Sequence, residues 1–214
     1  MELEVLKLAG ALKSVLFAAS TDPERPHLHA VQFTHRGDIL ALHATNGHWA
    51  AMWSDAVPEE GDAWVTMPMV DAKFLLSMLT LTDCDRIDID VASCVFQTRK
   101  WRFQASLVDQ GPDIKAIFDG RENGKLGAFA VNPDYVRGAA QAFKAAIGAR
   151  NVSVEIACGP TETSPLLLTC SAAPEVAVLV MPMRLGADGD NAEQEKADVD
   201  KQRTIEDAIA KAAP

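Results

Sequence analysis

The stretch HLHAVQFTHRGDILALHATNGHWAAMWSDAV, residues 27–57, decides the fold. Arg36-Gly37 and Asn46-Gly47 are turn dipeptides, and they divide it into three expected strands, His27 to His35, Asp38 to Ala44 and Trp49 to Val57. Upstream, Asp22-Pro23-Glu24-Arg25-Pro26 breaks a helical pattern in which Leu8, Leu12, Val15, Leu16 and Ala19 form one apolar stripe. Met1 to Leu6 reads as a strand before that helix. A strand, an amphipathic helix and three successive strands make one unit.

The same order recurs twice, and repetition of a supersecondary unit constrains the fold more than any single motif. Unit two opens with a strand at Ala63 to Met67 and a helix from about Asp71 to Leu81, its stripe being Phe74, Leu75, Met78 and Leu79. Arg86-Ile87-Asp88-Ile89-Asp90-Val91 then alternates with period two, as a strand with one wet face does, and Val95 to Thr98 and Arg102 to Val108 complete the set. Gly111 to Gly124 is rich in Gly and Asp and reads as a linker. Unit three has a strand at Leu126 to Val131 and a helix that Asn132 caps and Pro133 opens, burying Val136, Ala140, Phe143 and Ile147. Strands at Val152 to Ala157, Leu166 to Cys170 and Val176 to Met181 close it. The fold class expected is α+β, with the helices on one face of antiparallel sheets. Gly186 to Pro214 carries eight acidic and four basic residues and is expected to be a solvated tail with a short helix near Thr204 to Ala212.

Composition narrows the function. With 214 residues, 48% of them hydrophobic, the chain has material for one sizeable core or two small ones. No apolar run approaches the roughly 20 residues needed to cross a bilayer, and MELEVLKLAG carries acidic residues where a signal peptide is basic, so a cytoplasmic protein is expected. Cys84, Cys94, Cys158 and Cys170 form no C-x-x-C pair and read as buried free thiols. A net charge of −10 argues against wrapping nucleic acid over the whole surface, while leaving room for a local basic face.

Five segments carry a resemblance. They are Phe33-Thr34 through Ala44-Thr45-Asn46-Gly47-His48-Trp49-Ala50; Val65-Thr66-Met67-Pro68 with the following helix; Phe103-Gln104-Ala105-Ser106-Leu107-Val108-Asp109 with Gly111-Pro112-Asp113; Ala128-Phe129-Ala130-Val131-Asn132 with Tyr135-Val136; and Val180-Met181-Pro182-Met183-Arg184-Leu185. In this order they resemble the A-T-D-G-H-R-L-A turn, the V-x-x-P strand, the F-x-S-K-L-V-D-G-x-F-P-D-Y segment, the F-N-x-x-Y-L helix entry and the terminal V-M-P-M-R-L of the bacterial sliding clamp, the DNA polymerase III β subunit. Asn46 replaces the acid of that turn and Trp49 its arginine. The resemblance implies a DNA-clamp fold shortened to a domain like the middle clamp domain, 1–110, a linker, 111–124, a half-domain like the C-terminal one, 125–185, and an added acidic tail, 186–214.

What the resemblance implies about function is a processivity factor for DNA replication, a binding protein rather than an enzyme, that encircles duplex DNA as a homo-oligomer and holds partner polymerases or repair proteins by short linear peptides. Carried over by position, the peptide pocket is Leu28, Thr45, Gly47, His48 and Trp49 with Val180, Met181, Pro182, Met183 and Arg184. Flexible methionines suit varied apolar peptides. The DNA-facing candidates are Lys7, Lys13, Arg25, Lys73, Arg137 and Lys144. No cofactor is implied. A rival reading is a clamp-derived regulatory protein that sequesters clamp-binding peptides or the clamp itself without encircling DNA. Catalysis has little support: His27 and His29 share an expected strand face, yet no acidic residue lies at ligand-like spacing, and no phosphate loop or serine elbow is present.

Overall fold

A computed structural model describes residues 1–108, 112–119, 131–149, 151–161 and 164–183. The expected strand at 126–130 and the tail beyond 183 lie outside the described residues.

The helices form where the apolar spacing puts them. Helix α1 (Val5–Leu16) follows the short strand β1 (Glu2–Glu4), and Val5, Leu8, Leu12 and Val15 are buried along its inner side. Full burial of a leucine such as Leu8 or Leu12 contributes about 1.5 to 3 kcal/mol. Glu4 gives α1 no side-chain cap; the Val5 N–H donates instead to the Asp85 carbonyl at 2.9 Å, tying the helix start to the chain before β4 (Arg86–Asp90). Helix α2 (Met69–Leu81) buries Met69, Ala72, Leu75 and Leu79, while Phe74, expected inside, stays 53% exposed. Helix α4 (Pro133–Ile147) has the start that its sequence writes: Asn132 Oδ1 accepts from the Asp134 N–H at 2.9 Å, and Pro133 fills the first position. Gly148, at φ 67, ends it, its N–H donating to the Lys144 carbonyl at 2.8 Å. Its fully buried residues are Gly138, Ala139, Ala142 and Phe143, a face turned from the expected one, with Val136, Ala140 and Ile147 at its margins.

Two antiparallel sheets receive these helices. The first has the order β1-β4-β5-β6, with β5 at Val95–Gln97 and β6 at Arg102–Gln104. Ile87 and Ile89 of β4 point into the core while Arg86, Asp88 and Asp90 stay exposed. The second sheet has the order β2-β3-β9-β8-β7. Strands β2 (Ala30–Thr45) and β3 (Trp49–Pro68) each absorb two expected strands, because strand pairing continues through Arg36-Gly37. The register shifts there, between Gly37 and Ile39, and Gly37 sits at φ 58, where a residue without Cβ is unstrained. Unit three supplies β7 (Glu155–Ala157), β8 (Leu166–Thr169) and β9 (Val176–Val180), and β9 pairs with the start of β3, so unit three joins unit one in one sheet. Helix α1 packs between α2 and α4 over a common core, in which Phe33 of one sheet meets Phe96 of the other edge-on at 5.7 Å. The stretch expected as a linker contains a short helix, α3 (Ile114–Asp119); its Ile114 is buried against Ala50 and Leu179 on the opposite side of the second sheet.

Candidate functional site

The turn between β2 and β3 is fixed by its own side chains. Asn46 Oδ1 accepts from the N–H groups of His48 and Trp49 at 3.0 and 3.2 Å. Thr45 Oγ1 accepts from the Gly47 N–H at 3.1 Å and donates to the Trp49 carbonyl at 2.7 Å. Gly47 takes φ 93, which a side chain would resist. The end of β9 is tied to this turn, since Val180 pairs with Trp49 and the Met181 N–H donates to the His48 carbonyl at 3.0 Å.

Strand alternation then separates two faces. Trp49, Val178 and Val180 face the helices, whereas Ala50 and Leu179 face the outer side. On that side Thr45, Gly47, His48 and Met181 gather around a shallow cleft of about 60 Å³, which Trp49 borders although its ring turns toward the helices, and which Ala50, Pro165 and Leu179 complete. The first five were expected from the sequence. Ala50 and Leu179 follow from alternation once the β3–β9 pairing is known; nothing in the sequence singles out Pro165. Leu28 does not line the cleft: it sits in the turn before β2, its N–H donating to the Arg25 carbonyl at 2.9 Å and its carbonyl accepting from the Ser20 N–H at 2.9 Å. Val180 lies fully buried beneath, Pro182 is half-buried, Met183 is exposed just beyond, and Arg184 is outside the described residues. The Trp49 indole does not fill the cleft. It turns inward, stacked on Tyr135 at 5.1 Å and tilted against Phe17 at 4.3 Å.

The expected basic residues all lie exposed, and half of them are neutralised locally. Lys7 pairs with Asp55, Arg25 with Asp22 at 3.6 Å and Arg137 with Asp134 at 2.8 Å, while Lys13, Lys73 and Lys144 have no ion-pair partner among the described residues. Where α1 meets the C-terminal ends of α2 and α4 lies a groove of about 870 Å³. Its charged residues are Glu4, Asp83 and Asp85 against Lys13 and Arg86, and the two helix ends add partial negative charge. A hydrogen bond from Lys100 holds the Asp83 carboxyl below its usual range.

His27 and His29 do not share a strand; both fall in the turn before β2, closed by the Leu28 and His29 N–H groups on the Arg25 carbonyl, and His29 Nδ1 lies 2.7 Å from the Ser20 carbonyl. Among the described residues, no three of His, Cys, Asp and Glu gather as metal ligands do. All four cysteines are free and buried. Burial, assisted by Asp71 and Asp90, pushes the Cys94 thiol up to about 12, and a hydrogen bond with Thr82 pulls the Cys84 thiol down.

No family model matches the sequence, and no curated protein does. Solved structures do. The DNA polymerase III β subunit of Thermotoga maritima superposes with a TM-score of 0.72 at 16% identity, covering 87% of this chain and 65% of that one. The Pseudomonas aeruginosa sliding clamp bound to griselimycin gives 0.67 at 18% identity, over 86% and 65%. The Borrelia burgdorferi β subunit in complex with a natural product gives 0.68 at 17%, over 87% and 63%. The chain therefore has the sliding-clamp fold and spans about two-thirds of the length of the clamps it matches.

Proposed function

We propose that this clamp-fold chain is a scaffold of DNA replication. It takes short linear peptides of polymerase or repair proteins in the cleft at His48, Ala50, Leu179 and Met181, and it encircles duplex DNA as a homo-oligomer in the cytoplasm. It binds rather than catalyses. The observation that carries the reading is the convergence of the Asn46-Gly47 turn with the end of β9: two segments far apart in sequence make one apolar recess on the outer face, held by the Met181–His48 hydrogen bond. A recess rimmed by an exposed methionine accepts varied apolar side chains. Griselimycin, which the Pseudomonas aeruginosa clamp binds, is the probe. Calorimetric titration of the full chain should show saturable binding, and Met181→Glu should weaken it at least about tenfold, or 1.4 kcal/mol. Absence of binding, or binding indifferent to Met181→Glu, would contradict the cleft.

A second reading, a regulatory protein that captures such peptides without encircling DNA, is favoured by the helix-face charges. Three of the six basic candidates sit against carboxylates, and in the groove at the helix ends Glu4, Asp83 and Asp85 outnumber Lys13 and Arg86. Phosphate contact rests on unneutralised Lys and Arg.

A further inference from the structure

One side of the molecule is apolar and open. On α2, Val70, Phe74 and Leu81 follow helical spacing and are 68%, 53% and 86% exposed, on the side of the helix away from buried Leu75 and Leu79. This side runs along β6: the Phe74 ring lies 5.4 Å from Phe103, and Met78 and Leu81 border a recess of about 500 Å³ with Trp101. Strand β6 ends its sheet and has β5 as its one partner among the described residues. A helix with a bare apolar stripe beside an unpaired strand edge is a surface that exposes both apolar area and backbone polar groups.

The chain itself shows what such a surface takes. In unit one the corresponding parts are α1 and the first residues of β3, and they are covered by another strand–helix unit: α4 packs on α1 while β9 pairs with β3. In unit two α2 and β6 hold the same positions in the repeat, uncovered among the described residues. We propose that this face receives a second copy of the chain by two-fold symmetry, β6 pairing antiparallel with β6 of the second copy about Phe103 while the α2 stripes pack together. A two-fold contact must be self-complementary. Centred on Phe103, it sets Arg102 opposite Gln104 of the second copy, so no like charges oppose each other. The inference rests on the α2–β6 face alone and does not require the outer cleft.

The test is the solution mass of the full chain by light scattering over a range of concentrations, with hydrogen exchange at the amides of residues 102–104. Wild type should be a dimer or a multiple of one, and those amides should gain protection as concentration rises. Val70→Asp and Leu81→Asp each place a charge on an already exposed position, so folding, checked by circular dichroism, is expected to survive; each should halve the mass and abolish the protection. Ile156→Asp, on β7 at the far end of the other sheet, should leave both unchanged. A monomeric wild type would overturn the proposal. So would an oligomer that Ile156→Asp splits while Leu81→Asp does not.

Discussion

The edge of the Trp49 indole lies directly over Gly138 of α4, so close that a β-carbon at residue 138 would stand 2.5 Å from Trp49 Cη2. Inside a helix, Gly→Ala ordinarily gains about 1 kcal/mol. Here the ring has nowhere to go, since Tyr135 stacks on it and Phe17 presses against it. Gly138→Ala should therefore destabilise the protein, by about 1 to 3 kcal/mol on denaturant unfolding. Against a Trp49→Ala background the same change should become neutral or stabilising, because the clash with the indole is gone and the Phe17 ring, which the new β-carbon would meet at 3.0 Å, gains room to yield into the vacated space. A stabilising Gly138→Ala in the wild-type chain would contradict this packing.

The thiols should separate by reactivity. Cys94, fully buried and with its thiol raised to about 12, stays protonated at neutral pH, whereas the Cys84 thiol is lowered. The thiolate is the reactive form. Alkylation of the native protein followed by peptide mapping should find Cys84 modified well before Cys94, and Cys94 only when the chain unfolds. Equal labelling of the two would count against these environments.

The Asp83–Lys100 pair has a pH signature. Because the folded carboxyl is held below its unfolded value, its contribution to stability is present above the unfolded carboxylate pKa and is lost as pH falls through the folded one. Both side chains are largely solvated, so the contribution is small. In Lys100→Ala, the Asp83 carboxyl followed by carbon-detected NMR should titrate at higher pH than in wild type.

Loss of the α4 cap should be measurable. Asn132→Ala removes the acceptor for the Asp134 N–H and should cost about 1 kcal/mol of stability, with no change in the far-UV spectrum of the folded state.

The sequence carried the order of elements because that order is written in short-range signals. The Asn46-Gly47 turn, the Asn132-Pro133 helix start and the alternation through Ile87 and Ile89 each depend on neighbours within a few residues. Tertiary contacts were less legible. Phe74 looked like core by spacing, but α2 turns it toward β6 and leaves it half in solvent. The helix at Ile114 hid in a Gly- and Asp-rich stretch, because its burial depends on Ala50 and Leu179, which no local pattern connects to it. The cleft was half visible for the same reason: its turn residues and Met181 could be named by motif, while Ala50 and Leu179 required the β3–β9 register. Leu28 and the orientation of the Trp49 ring depend on how the turn before β2 and helix α4 pack, which a motif does not encode.

Encirclement is tested most directly by topology. Linear duplex DNA is ligated into circles in the presence of the full chain, so that no ring has to open, and the circles are passed through a sizing column in high salt, where phosphate contacts alone do not hold a protein. The proposed function requires that the protein elute with circular DNA and be released once a restriction enzyme linearises it. Equal loss from circular and linear DNA would contradict encirclement.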